Sequence, residues 1–579
     1  MTIFAWGRVS HAALLVGGLL TAAPLVGEAQ GLAGSYLAGR QAQYDNDFDA
    51  VGRFYGQALA RDPSNALLLE RTLIGYINRG DADRAATLLS KFSPRVPSNQ
   101  VAGLVVVANN AREGRFQAIV DEIDAGRTMG PLLDGLFRSW AILGDGRAND
   151  ALEAFDAVAQ SSGSTGFALY HKGLAQASVG DFSGALETFA DQDVQPLLGT
   201  RRGTFAAAAI MSQLGDHTGA AALIRRNFGR DLDLEFSQAI ALLEAQKTLP
   251  FAVVTSARHG IAEVFYSVGA AIEGDSEPDY ALIFPRLATY LRSDFVDATL
   301  LSAELLERLK EYDLATEAYD DVPRGHGDYY SAELGRSEAL YNAGEEETAV
   351  EVLRQLAESH GDLAIVHRKL GDVLRRLDRH IEANRAYTRA LDTASRTDAS
   401  LWFLHYARGI TFERTDQWSD AEADFRKSLE LNPGHPSVLN YLGYSLLEKG
   451  IKLDEALGLI EKAVEARPDS GFIEDSLGWG LYLTGRFEEA VVHMERAAEL
   501  LPIDPVINDH LGDVLWTVGR RIEAEFHWTR ALSLDPEEDD ATRIRRKLDV
   551  GLDAVLEEEA KPALEVAEDE SAPNTEDDG

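Results

Sequence analysis

The apolar positions between Asn432 and Pro536 fall on helical spacing, in runs separated by short polar turns. Within Ser437–Lys449, Leu439, Leu442, Leu446 and Leu447 make one stripe of a helix, and within Leu453–Arg467 the residues Leu457, Ile460 and Val464 make another. Gly450 ends the first run, because glycine accepts the left-handed conformation common just past a helix end. Pro468 ends the second, because proline cannot continue a helix. The pattern is then written twice more. Gly443, Gly478 and Gly512 mark the blocks, Ala456, Ala490 and Ala524 follow, Ala463, Ala497 and Ala531 come next, and Pro468, Pro502 and Pro536 close. The last two blocks are spaced by 34 residues and the first by one more, the extra residue falling in Gly450–Leu453. Each block predicts a helical hairpin that cannot bury its apolar face alone. Stacking in tandem does so, which makes the chain a solenoid.

Worn copies extend upstream. Gly409, Ala421, Phe425, Ser428 and Pro433 form one, Gly371, Ala383, Tyr387 and Ala390 another, and Val51, Tyr55, Ala58 and Pro63 a third near the N-terminus. Inter-helix turns are marked at Gly80-Asp81, Gly114-Arg115, Gly146-Arg147, Gly180-Asp181 and Gly215-Asp216, each followed by a small residue. The pattern breaks over 249–279, where Glu273–Pro278 has loop composition. The domain reading is a divergent array over 30–248, an irregular or capping connection over 249–279, and a second array over 280–536 with its best repeats at 401–536. A capping helix at 537–558, with Ile544, Leu548, Leu552 and Val555 on one face, covers the end. An acidic tail at 559–579, poor in apolar residues, reads as disordered.

These blocks resemble tetratricopeptide (TPR) repeats, whose pattern is a small residue, an Ala, a large apolar residue, an Ala and a Pro. The resemblance implies an all-α superhelix whose first helices line a concave groove, at positions beside the small glycine. Carried over position by position, it marks Asn440, Tyr444 and Leu447, then Asp475, Trp479 and Tyr482, then Asp509, Asp513 and Trp516 as groove residues. Gly443, Gly478, Gly512, Ala456, Ala490, Ala524, Pro468, Pro502 and Pro536 are the packing residues. Aromatic groups and carboxylates on one face suit a protein partner, although the same aromatics also suit inter-repeat core. Three aspartates would repel a peptide's terminal carboxylate, whereas Arg368, Arg375 and Arg376 around Gly371 offer a seat for an acidic ligand. A narrower resemblance covers 401–534: Asn440–Tyr444, Asp475–Trp479 and His510–Trp516 are similar to the C-terminal repeats of large bacterial envelope TPR proteins. That group includes an adaptor of a periplasmic carboxyl-terminal processing protease, and its members are typically lipoproteins.

Charge and composition narrow the partners. Of 579 residues, 94 are Asp or Glu against 55 Lys or Arg, and a net charge of −39 speaks against nucleic acid. Cysteine is absent, so there is no disulfide, no thiolate chemistry and no lipid-bearing cysteine. Arg8, the apolar run Ala12–Val26 and Gly27-Glu28-Ala29 read as a signal peptide over 1–29, hence a periplasmic chain; an uncleaved N-terminal anchor is the alternative. Asp45–Asp49 begins like a calcium-binding loop, but Ala50 stands where a glycine belongs and Gly56 where a glutamate belongs, so it reads as an acidic turn. His217 and His493 lack ligand partners at helical spacing, and no phosphate loop, zinc-helix motif or serine elbow occurs. The expectation is an exported scaffold or adaptor, with no enzyme activity, cofactor or metal. The competing reading is a cytoplasmic, secretion-system or glycosyltransferase-associated TPR subunit.

Overall fold

Thirty-two helices and no strand form among the described residues of a computed structural model, which are 31–92, 99–161, 163–229, 232–395 and 398–560. The expected signal peptide and residues 561–579 of the expected disordered tail lie outside them. The helices follow the hairpin pattern. Every inter-helix glycine named above, Gly80, Gly114, Gly146, Gly180 and Gly215, has positive φ, as do Gly450, Gly485 and Gly519 in the best repeats. The longer first block absorbs its extra residue by placing Lys452 in the left-handed region at φ 50°. No described helix is long and apolar enough to cross a membrane.

The chain divides into two compact units, Met1–Val352 and Leu353–Gly579. The expected boundaries at 248 and 279 are not where it divides. In the first unit, the helices Ala66–Arg79, Gln100–Arg112, Pro131–Gly144 and Thr165–Ser178 are the first helices of consecutive hairpins. They are apolar nearly all round: Val101, Ala102, Leu104, Val105, Val107, Ala108 and Ala111 of one are all buried. Such a helix must be covered on both sides. Its own hairpin partner covers one side. The other is covered by the chain itself, through Ala257–Ile272 and Pro278–Leu291, which pack against these first helices from within.

The stretch read as an irregular or capping connection is therefore central core. Ala257–Ile272 is a 16-residue helix, and Phe265 lies 4.8 Å from Phe137 between ring centres. Polar groups key it in place. Glu263, almost wholly buried, accepts from the Tyr170 hydroxyl at 3.1 Å and from Arg202 Nε at 2.8 and 2.9 Å. Trp140 Nε1 donates to His171 Nδ1 at 3.2 Å, which leaves His171 Nε2 to face Ser267 Oγ at 3.1 Å. Burial lowers the His171 pKa to about 3, so this link stays neutral. A Cβ on Gly260 would lie 2.2 Å from the Trp140 ring. Gly260→Leu is accordingly expected to cost about 1–3 kcal/mol by overpacking, read as a lowered urea midpoint. An unchanged midpoint would take this hairpin out of the core.

The second unit contains the hairpins Ala364–Arg376 with His380–Thr393, Leu401–Glu413 with Trp418–Leu431, Pro436–Glu448 with Leu453–Ala466, Gly471–Leu483 with Phe487–Leu500, and Pro505–Thr517 with Arg521–Ser533. The repeat glycines make room for one large side chain each. A Cβ would meet Tyr387 at 2.7 Å from Gly371, Phe425 at 2.7 Å from Gly409, Ile460 at 2.7 Å from Gly443, Met494 at 2.5 Å from Gly478 and Trp528 at 2.4 Å from Gly512. Ala456, Ala490 and Ala524 are wholly buried where the paired helices touch. Pro468 and Pro502 are exposed and simply stop their helices.

The expected single capping helix is two, Glu538–Val550 and Leu552–Ala560, broken at Gly551. Gly551 has φ 85°, and a Cβ there would lie 2.6 Å from the Trp516 ring, so both backbone and space require glycine. Upstream, the acidic turn at Asp45–Asp49 serves the helix that follows it. The Asp47 carboxylate caps Phe48–Arg61, accepting from the Ala50 amide at 2.9 Å.

Candidate protein-binding face

Six of the nine expected groove residues stand on Gly471–Leu483 and Pro505–Thr517, helices buried along most of their length. Each is held between its own second helix and the first helices of neighbouring hairpins. The positions beside the glycine therefore reach the next repeat, and only Tyr482 and Trp516 of the six aromatic and acidic residues there, with the edge of Asp509, keep part of their surface. Trp479 lies between Tyr482, 4.9 Å away between ring centres, and His510, 4.0 Å away. Leu447 packs against Gly480 of the next hairpin. Trp516 donates its Nε1 to Asp553 at 3.2 Å and covers Gly551.

The three aspartates are likewise spent inside the solenoid, which corrects their reading as an acidic groove. Asp475, 8% exposed, lies 3.0 and 3.2 Å from His510 Nδ1. Asp509 and Asp513 share one ammonium: Lys547 Nζ donates to Asp509 at 2.7 and 2.8 Å and to Asp513 at 2.6 Å. The Lys547 side chain is fully buried. Asp513 also accepts from Trp528 Nε1 at 2.9 Å, and Arg543 Nη1 stands 3.4 Å from it. Lys547 and Arg543 were missed in the sequence, yet a signal existed. They fall 34 residues after Asp513 and Asp509, so the repeat register runs on past Pro536. His493, which had no partner at helical spacing, finds Glu474 at 2.8 Å across the hairpin.

His510 makes this lock sensitive to pH. Burial disfavours its proton, but Asp475 in contact and Asp509 and Asp513 nearby outweigh burial and raise its pKa above the usual 6.5. A histidine raised in the folded state contributes stability that is complete below the unfolded pKa and is lost as pH rises through the folded one. Wild type is expected to lose this contribution as the pH climbs above about 6.5. Asp475→Asn should flatten that part of the profile, checked by denaturation at a series of pH values. Parallel profiles for the two proteins would contradict the pairing.

The face nearer the start of this unit differs. At the same positions beside the glycine stand Arg368, Asp372 and Arg375, then Tyr406, Ile410 and Glu413, then Asn440, Tyr444 and Leu447. Arg368, Arg375, Phe403, Tyr406 and Ile410 are all only partly buried. The Arg368 guanidinium lies 5.9 Å from the centre of the Phe403 ring. Arg375 Nε donates to the Tyr387 hydroxyl at 3.4 Å, and that hydroxyl donates to Asp372 at 2.8 Å. Neither Arg368 nor Arg375 has an ion-pair partner among the described residues, unlike Asp475, Asp509 and Asp513. Farther along, Asn440 Oδ1 is buried with no hydrogen-bond partner among the described residues, and the buried Tyr444 hydroxyl has Glu448 near it. From Ala364 to Thr415, ten Lys and Arg stand against six Asp and Glu, in a chain of net charge −39.

The tetratricopeptide repeat family model matches residues 406–471. A TPR repeat-containing protein of Pseudomonas aeruginosa is 28% identical over 186 residues, 32% of this chain and 31% of its own length. A lipoprotein NlpI homolog of Haemophilus influenzae is 38% identical over 87 residues, 14% of this chain and 26% of its own. The chain thus spans about a third or less of the length of these relatives. Among solved structures, Cut9–Hcn1 of the APC/C is 14% identical with a TM-score of 0.37, covering 90% of this chain and 96% of that one. YrrB, described as a TPR protein with an unusual peptide-binding site, is 19% identical with a TM-score of 0.27, covering 34% and 99%. With the repeat glycines and their large partners, the match over 406–471 identifies the fold as an all-α solenoid of tetratricopeptide-like hairpins.

Proposed function

We propose that this chain is an exported scaffold that binds a protein partner along Ala364–Glu448, and that its partner is a periplasmic carboxyl-terminal processing protease or a substrate of one. The observation that carries the binding reading is the unequal use of the first helices. In the first unit their inner side is filled by Ala257–Leu291. In the second unit Arg368, Arg375, Phe403, Tyr406 and Ile410 keep part of their surface. Partly exposed aromatic rings beside guanidinium groups are what interface anchors are made of. Arginine there favours an acidic or carboxylate-bearing partner segment.

Export rests on Arg8, Ala12–Val26 and Gly27-Glu28-Ala29. A relative described as a lipoprotein supports an envelope location, although this chain has no cysteine to carry a lipid. Two measurements test the reading. N-terminal sequencing of the native protein after fractionation should find a periplasmic chain beginning near residue 30, and intact Met1 in the cytosol would remove both export and protease docking. Capture from an envelope extract should retain the protease with wild type and lose it with Arg368→Glu. Equal capture by both would move the binding surface elsewhere.

A further inference from the structure

We propose that the acidic segment 561–579 of this chain is an intramolecular ligand of the Arg368–Arg375 face and competes there with outside partners. This rests on the reading of that face as the partner-binding surface. In the last hairpins each charged group beside a repeat glycine is paired internally: Asp475 with His510, and Asp509 and Asp513 with Lys547. Arg368 and Arg375 are spaced two helical turns apart on one face of Ala364–Arg376; neither makes a direct ion pair among the described residues, and both share the carboxylate of Asp372 between them, which already accepts from the Tyr387 hydroxyl. Two partly buried guanidinium groups sharing one carboxylate leave an excess of positive charge that favours a further anion at that place.

The chain supplies a complementary segment. Residues 561–579 carry seven Asp and Glu against Lys561 alone, in two clusters, Glu568-Asp569-Glu570 and Glu576-Asp577-Asp578. The segment follows in sequence the helix Leu552–Ala560, and that helix belongs to the same compact unit as the arginines. Its reach is sufficient. Five hairpin steps separate Glu538–Val550 from Ala364–Arg376, roughly 45 Å at 8–10 Å per packed helix. The second cluster begins sixteen residues past Ala560, a span of about 53 Å when extended. The neighbouring aromatic residues Phe403 and Tyr406 offer apolar contact for the segment's Pro573 and Ala572.

Tethering makes weak attraction count. A tethered segment of this length acts at an effective concentration on the order of 1 mM, so an intrinsic Kd near 0.1 mM would weaken an outside ligand about tenfold. Because the contacts are between partly solvated charges, added salt should relieve the competition.

The test uses the full chain and a fluorescein-labelled peptide of sequence 561–579. It compares wild type with a full-length variant carrying Glu576→Lys, Asp577→Lys and Asp578→Lys, changes that alter no residue of the described hairpins. By fluorescence anisotropy the labelled peptide should bind the variant about tenfold more tightly than wild type, with the difference shrinking in high salt. A peptide bearing the same three reversals should bind neither chain, and Arg368→Glu in the variant should weaken native-peptide binding. Equal affinity for wild type and variant, or undiminished binding of the reversed peptide, would overturn the proposal. Capture of the protease, measured in parallel, separates the two ideas. Capture without peptide binding removes the tail assignment alone, whereas peptide binding without capture leaves it standing and removes the protease reading.

Discussion

Lys547→Met is expected to cost about 3–5 kcal/mol and to unfold the last hairpins before any others. The Lys547 side chain is fully buried and is the shared counter-charge for Asp509 and Asp513. Burial, and next the neighbouring Asp513 carboxylate, already push the Asp509 pKa upward against the pull of Lys547. Without the ammonium, two largely buried carboxylates face one another, with Arg543, 3.4 Å from Asp513, the Trp528 indole and His510 left as weaker compensation. The loss should be far smaller when Asp509→Asn and Asp513→Asn are added, because neutral amides carry no uncompensated charge. Hydrogen exchange should report lost protection over Pro505–Ala560 first. A single variant as stable as wild type would mean that the three charges are solvated and the end of the solenoid is held by apolar packing alone.

Ala490→Glu should be similarly damaging, on the order of 4 kcal/mol, because it overfills a helix contact and buries an unpaired charge. Ala490 has no exposed surface and lies on Phe487–Leu500 where that helix meets Gly471–Leu483. Solenoid neighbours support one another, so the loss should spread from this hairpin into Pro436–Ala466 and Pro505–Ser533. Helices of the first unit, such as Ala66–Arg79 and Ala257–Ile272, have their own core and should keep their protection. Uniform loss along the chain would contradict a modular array.

The repeat itself was legible because its causes are local. A glycine, a large side chain sixteen or seventeen residues on, two alanines and a helix-stopping proline are constraints within one hairpin. They can be read without knowing any neighbour. The positive-φ turns are local in the same way. What lay beyond them was set by contacts distant in sequence. Ala257–Ile272 looked like an interruption because it lacks the hairpin spacing. Its place is decided by Trp140, Tyr170 and His171, about a hundred residues away, whose helices are too apolar to leave one side in water.

The candidate site divides along the same line. The sequence by itself determined which residues stand beside each repeat glycine, since helical periodicity places Asp475, Trp479, Asp509 and Asp513 on one face of their helices. Whether that face meets solvent or the next hairpin was decided only by stacking. In the last hairpins the next helix brings His510, Lys547 and Arg543 to those aspartates, so a surface of charge became an internal lock. Around Gly371, Arg368 and Arg375 make no direct ion pair among the described residues and share Asp372 between them, so the same positions keep an excess of positive charge. The physical reason is that a buried charge must find its counter-charge within a few ångströms, and that distance is a property of the folded neighbours, not of the spacing along the chain.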